Sequence, residues 1–187
     1  MKGTIINKKL AQMIEEENDI SYFLPILYEV SKNIGKKTTD DFNIIELGVR
    51  SGCSTIAFLS ALCELKKGRL WSCDIEKTDI SFKNVTDAGL FNYWYFWEGD
   101  SIDFANFIGN KIISLIFIDT SHEFAQTTKE IEVWAPKLKI GGKIIFHDTC
   151  SRREGVAIPI KNFLKKNKTW EYYNIDISAG LGIMTKH

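Results

Sequence analysis

Two glycines in Glu46-Leu47-Gly48-Val49-Arg50-Ser51-Gly52 stand between a short β-forming run and a helical pattern that begins near Cys53. Glycines at such a junction permit a tight turn and close backbone approach, and the start of the helix offers unpaired N–H groups. The spacing is not G-x-G-x-x-G. Arg50 occupies the middle glycine's position, which argues against a dinucleotide cofactor. Asp74 follows after about twenty positions, where a carboxylate accepts hydrogen bonds from ribose hydroxyls; the alternative is an exposed loop aspartate. In Glu98-Gly99-Asp100-Ser101, Asp100 either bonds the exocyclic amine of a base or caps the following helix, and the two roles are compatible.

These residues need elements to hold them. Ile6, Leu10, Met13 and Ile14 repeat at helical spacing, as do Phe23, Leu24, Leu27 and Ile34, with Gly35 as a stop signal. After a polar link through Asp41 the pattern changes to short β runs alternating with amphipathic helices. The expected strands are Asn43–Leu47, Arg69–Cys73, Tyr93–Trp97, Ser114–Ile118 and Lys143–Phe146. Helical stretches fall near 52–66, 78–88, 101–109 and 123–138. In the last of these, Phe124, Thr128, Ile131, Ala135 and Leu138 form one face, with Lys129, Glu130 and Glu132 elsewhere. Pro136 should kink or end that helix, and Gly141-Gly142 should turn the chain into the next strand. A further helix (Val156, Ile160, Phe163, Leu164) precedes strands at Trp170–Ile175 and Leu181–Thr185. Alternation of this kind predicts an α/β fold, a doubly wound parallel sheet with helices on both faces.

In order and spacing, these motifs resemble the class I S-adenosylmethionine-dependent methyltransferases. Within them the chain looks most like the small-molecule O-methyltransferase group that includes the cephalosporin hydroxylase-like proteins. Ile45 to Gly52, Asp74, and Glu98 to Ser101 carry the likeness. So do Phe117-Ile118-Asp119-Thr120-Ser121-His122, Trp134 to Leu138, and Gly141-Gly142 through Phe146-His147-Asp148. The resemblance implies a Rossmann-like, seven-stranded sheet whose last strand is antiparallel. It divides the chain into an N-terminal helical cap, residues 1–41, and an S-adenosylmethionine-binding part, residues 42–187. Glu46, Gly48, Ser51 and Gly52 would hold the methionine end of the cofactor, with Asp119 close by. Asp74 would take the ribose hydroxyls, and Asp100 with Ser101 the adenine.

Asp119 ends the fourth expected strand, and His147-Asp148 end the fifth, its neighbour in this fold. Strands lie about 4.8 Å apart, so these three side chains could share one divalent cation. Related methyltransferases hold Mg²⁺ with such a set, which acidifies a substrate hydroxyl. His147 stands where relatives often carry an acid, and imidazole suits Mn²⁺, Fe²⁺ or Zn²⁺ better. The plain alternative is that these groups cap strand ends. His122, three residues after Asp119, is either a base that removes a hydroxyl proton or a helix-terminal histidine bonded to backbone. The expected activity is methyl transfer to an oxygen of a small hydroxylated metabolite or sugar. A non-catalytic cofactor-binding or scaffold protein is the alternative, with a nucleotide-dependent oxidoreductase behind it.

Composition sets the outer bounds. The chain has 187 residues, enough for one domain with a substantial core. Lys plus Arg equals Asp plus Glu at 24 each, which disfavours a nucleic-acid binder. The charge is uneven: residues 137–187 carry 10 basic and 4 acidic groups. Cys53, Cys63, Cys73 and Cys150 show no C-x-x-C spacing and read as buried small side chains of a reducing compartment. The longest strongly apolar run, Ile112 to Ile118, is too short for a bilayer, and Lys8, Lys9 and the Glu15–Glu17 run break any early apolar stretch. A cytoplasmic protein without a membrane partner is expected. Tyr93-Trp94-Tyr95-Phe96-Trp97 reads as strand packing, with an oligomer contact as the further use if the strand lies at a sheet edge. Arg152-Arg153 read as a solvated loop, or as a clamp for a substrate carboxylate or phosphate.

Overall fold

Apolar residues in the central strands alternate between two core layers. In β1 (Asn43–Leu47) Ile44 packs into one layer, and Ile45 and Leu47 into the other. In β4 (Ile113–Ile118) Leu115 and Phe117 face the first layer, and Ile113, Ile116 and Ile118 the second. A strand with both faces covered must be apolar throughout, and every residue of β4 is buried. This is a computed structural model, and it describes residues 7–16, 18–39, 41–109 and 113–187. Ile6 and Ile112, used in the sequence patterns above, lie outside those residues.

The sheet has seven strands in the order β3-β2-β1-β4-β5-β7-β6. The remaining strands are β2 (Arg69–Asp74), β3 (Trp94–Glu98), β5 (Leu138–His147), β6 (Trp170–Ile175) and β7 (Leu181–Lys186). β1 to β5 pair in parallel, while β7 runs antiparallel to both its neighbours. The result is a Rossmann-like, seven-stranded sheet with an antiparallel last strand, as the resemblance implies. Chain order reverses beside β1, so a crevice opens at the carboxyl ends of β1 and β4, where ligands bind in open α/β sheets.

Helices α1 (Lys8–Glu15), α2 (Leu24–Lys37), α3 (Cys53–Leu65) and α4 (Asp79–Asp87) cover one face. Helices α5 (Ser101–Ile108), α6 (Phe124–Trp134) and α7 (Ile158–Lys166) cover the other. No helix among the described residues is long and apolar enough to cross a membrane. β3 is an edge strand, and its half-exposed Tyr95 stacks on Trp71.

Several local expectations need correction. Gly35 does not stop α2, which runs on to Lys37; a Cβ at Gly35 would meet Phe42 at 2.8 Å, so glycine serves close packing there. The third strand begins at Trp94 rather than Tyr93. Gly141-Gly142 lie inside β5, at a register irregularity against β4, and do not separate a helix from a strand. The helix after Asp119 ends at Trp134, a 3₁₀ turn follows at Ala135–Lys137, and Leu138 already belongs to β5. Its inward face is Thr127, Glu130, Ile131 and Trp134; Phe124 is half exposed and Glu130 is fully buried. Among the cysteines only Cys73 is buried, and Cys63 is exposed.

Candidate active site

The glycine turn is built by backbone contacts on both sides of β1. The Gly48 amide donates to the Cys73 carbonyl at 2.8 Å, and the Asp119 amide donates to the Leu47 carbonyl at 2.8 Å. Gly48 has φ +90°, and a Cβ there would drive into the Asp119 carbonyl. Gly52, with φ +84°, caps α3, and Arg50 between them also has positive φ. The Asp74 carboxylate ties this turn down, accepting the Val49 amide at 2.7 Å and the Arg50 amide at 2.9 Å.

A cavity of about 560 Å³ opens beyond these strand ends, lined by Gly48, Asp74, Asp100, Ser101, Asp119 and His122 among others. A smaller one of about 270 Å³ is lined by Ser51, Cys53 and Ser54, and shares Asp19, Val49, Arg50 and Asp119 with the first. Asp100 caps α5 by accepting the Ile102 amide at 2.7 Å and still lines the larger cavity. Capping and exposure to a ligand therefore coexist.

Glu46 lies elsewhere. It is fully buried and lines neither cavity. Its carboxyl accepts from Ser54 and Ser72 at 2.6 Å each and from Thr55 at 2.9 Å. Burial pushes it up to about 7 against those three hydroxyls. It joins β1 to β2 and to the first turn of α3 through those hydroxyls. Gly52 likewise shapes the turn without lining either cavity.

At the ends of β4 and β5, four side chains converge. His122 Nε2 lies 3.0 Å from Asp119 Oδ1 and 3.1 Å from Asp148 Oδ2. His147 Nδ1 lies 3.3 Å from Asp119 Oδ1 and 3.2 Å from Asp148 Oδ2. The ligating atoms of all four residues fall within 4.8 Å of one another. Two of the four, His122 and Asp148, have positive φ, a strained conformation that clusters at functional sites. Gly155 packs directly on the His122 carbonyl, where no side chain would fit.

The cluster is strongly coupled. Burial would raise the Asp119 carboxyl, but hydrogen bonds from His122 and His147 hold it below the usual range. Asp148 falls to about 2, because His147 and Ser151 outweigh its burial. His122 is raised, chiefly by its bond to Asp119. His147 is buried against its charge, yet the two carboxylates raise it to about 10. Two imidazole nitrogens and two carboxylates also form a donor set suited to a divalent transition cation.

The segment between α1 and α2 closes over this cluster, which no sequence pattern signalled. The Asp19 carbonyl lies 3.4 Å from His147 Nε2, and its carboxylate pairs with Arg50 at 3.5 Å. Phe23 meets the His147 ring edge-on at 5.6 Å. Glu130, also missed, accepts from Ser101 at 2.6 Å and Thr120 at 3.0 Å. Arg152 and Arg153 are exposed and line neither cavity.

A family model described as a methyltransferase domain matches residues 45–149, more than half of the chain. Among solved structures, the chain is similar to the O-methyltransferase TomG from Streptomyces achromogenes, in complex with S-adenosylmethionine. The TM-score is 0.75 at 13% identity, over 99% of this chain and 91% of that one. An O-methyltransferase from Bacillus cereus in complex with S-adenosylhomocysteine gives 0.74 at 16% identity, over 100% and 93%. The S-adenosylhomocysteine-bound methyltransferase PaMTH1 from Podospora anserina gives 0.74 at 12%, over 100% and 91%. At these identities the likeness is one of fold. No curated protein sequence matches the chain.

Proposed function

Because the chain belongs to the methyltransferase domain family, we propose that it moves a methyl group from S-adenosylmethionine to an oxygen of a small hydroxylated metabolite or sugar. The observation that carries this reading is the continuity of the larger cavity. It runs from Asp100 and Asp74 past Gly48 to Asp119, His122 and Asp148, so a nucleoside groove ends at groups able to handle a proton. In this reading Asp100 and Ser101 meet the adenine, Asp74 the ribose, and the smaller cavity beside Ser51 takes the amino-acid tail.

The sulfonium already makes the methyl group electrophilic, so the protein's work is alignment and proton removal. As the acceptor oxygen bonds to the methyl carbon, the carbon–sulfur bond breaks and S-adenosylhomocysteine leaves. The hydroxyl proton passes to His122 Nδ1, while Nε2 keeps its own proton on Asp119 and Asp148, whose carboxylates stabilise the imidazolium that forms. Asp119, His147 and Asp148 would hold a divalent cation, which when bound lowers the pKa of the acceptor hydroxyl. The segment around Asp19, which lines both cavities, shields the reacting atoms from water and supplies acceptor contacts.

The test is turnover of S-adenosylmethionine to S-adenosylhomocysteine over a panel of catechols, sugars and other hydroxylated acceptors. At least one acceptor should gain a methyl group on oxygen, with His122→Ala strongly impaired. Methylation confined to nitrogen acceptors, or none at all with cofactor bound, would contradict the reading.

A further inference from the structure

At the opposite end of β5 from His147 lies a cavity of about 420 Å³ that shares no residue with the two described above. β5 itself opens it. Between the pairs Ile113–Leu138 and Leu115–Lys143, β4 has one residue, Ser114, and β5 has four, 139–142. The extra residues bend β5 locally, as bulges do, and bring Lys139 and Lys143 to the end of α2. There they meet Lys37 and Asn33, with Val30 and Ile34 as an apolar wall. None of the lining residues is a carboxylate.

The lysines are held in place without being neutralised. Lys139 Nζ donates to Thr38 Oγ1 at 2.7 Å and Lys143 Nζ to Thr185 Oγ1 at 2.7 Å, one of the three protons of each ammonium. Among the described residues, neither Lys37 nor Lys143 has a carboxylate within ion-pair distance. Burial holds the Lys143 ammonium below its ordinary value; Glu171 opposes that, and the like charge of Lys37 adds to it. The carboxyl end of α2 would repel an anion, but its Ile34 and Gly35 carbonyls are already bonded to Thr38. Ammonium groups arriving from two elements suit a tetrahedral oxyanion, whereas a planar carboxylate is best matched by the fork of an arginine, and none lines this space. We propose that the cavity is a second ligand site, which takes the phosphate of a phosphorylated small molecule and rests its apolar body on Val30 and Ile34. The site also gives a use to the basic excess of residues 137–187, to which Lys139 and Lys143 belong. It stands apart from the methyl-transfer reading.

The experiment is a calorimetric titration of the full chain with phenyl phosphate at low salt, in chelator so that no cation at the Asp119 cluster can hold the anion. One molecule should bind per chain with a dissociation constant below about 1 mM. Lys37→Met and Lys143→Met should each weaken it about five- to tenfold, the loss expected for one charge-assisted hydrogen bond. Phenylacetate, which carries a carboxylate on the same ring, should bind about tenfold more weakly than phenyl phosphate. S-adenosylhomocysteine should bind Lys37→Met as it binds the parent and should not compete with phenyl phosphate. Lys37 is exposed, so its variant keeps the fold and decides alone if Lys143→Met is destabilised. No saturable binding up to about 10 mM would overturn the site, as would unchanged affinity in Lys37→Met or competition with S-adenosylhomocysteine. Phenylacetate binding as tightly as phenyl phosphate would overturn the phosphate assignment.

Discussion

Asp74 accepts the Val49 amide at 2.7 Å, so the carboxylate expected at a ribose also clamps the glycine turn. Removing it should act twice. Asp74→Ala should weaken S-adenosylhomocysteine binding by ~1.5–3 kcal/mol, the range for a lost charged hydrogen-bond partner. It should also lower the melting temperature, because the Val49 and Arg50 amides lose their acceptor. Both amides bond the same Oδ2, so Asp74→Asn keeps an uncharged acceptor for both and should be intermediate in both respects. Calorimetry and thermal denaturation read the two effects separately; unchanged affinity in Asp74→Ala would remove the ribose assignment.

Gly48 and Gly52 differ in what surrounds them. A Cβ at Gly48 would drive into the Asp119 carbonyl, whereas one at Gly52 would meet Ser81 at 3.3 Å. Both substitutions carry the cost of a left-handed backbone, about 1–2 kcal/mol. Gly48→Ala adds a collision with rigid backbone and should therefore destabilise more than Gly52→Ala, by several degrees in melting temperature. Equal losses in the two variants would contradict the assigned contacts.

His147 makes a prediction about pH. Its pKa is raised from 6.5 to about 10: burial opposes the charge, and Asp119 and Asp148 overcome it. A folded value above the unfolded one means that the stability it contributes is complete below about 6.5 and lost as the pH rises towards about 10. In metal-free protein, the parent's advantage in melting temperature over His147→Gln should be largest near pH 6 and shrink by about pH 10. A difference that does not change with pH would show that the imidazolium is not the source.

Metal removal separates binding from chemistry. With the cation held by Asp119, His147 and Asp148, a chelator should abolish turnover and leave S-adenosylhomocysteine affinity largely intact. Asp148→Asn should behave like the chelated parent, and added Mn²⁺ should restore the parent alone. Full turnover in chelator, with His122→Ala severely impaired, would assign the proton to His122 without metal.

What the sequence revealed and what it hid follow from the range of the interactions. β1, β4 and the last part of β5 (143–146) are short apolar runs, so local pattern identified them and placed Asp119, His147 and Asp148 on neighbouring ends. Glu130 was assigned to an outer face because charge usually marks solvent. Its partners Ser101 and Thr120 stand 29 and 10 residues away, beyond any helical period. Gly35 looked like a stop because Leu65 and Phe42, the side chains that exclude a Cβ there, lie beyond the helix. Glu46 was read as a ligand contact from its motif, although only packing reveals that Ser54, Thr55 and Ser72 enclose it. Asp19 sits in a short link with no periodicity, and its role over His147, 128 positions further along, arises only on folding.

The measurement closest to the central claim is a calorimetric titration of the parent with S-adenosylmethionine and S-adenosylhomocysteine, in chelator and then with a divalent cation. One molecule of either compound should bind per chain under both conditions, with affinity reduced in Asp74→Ala. Absence of binding heat and of any thermal shift at millimolar ligand, with or without cation, would contradict it.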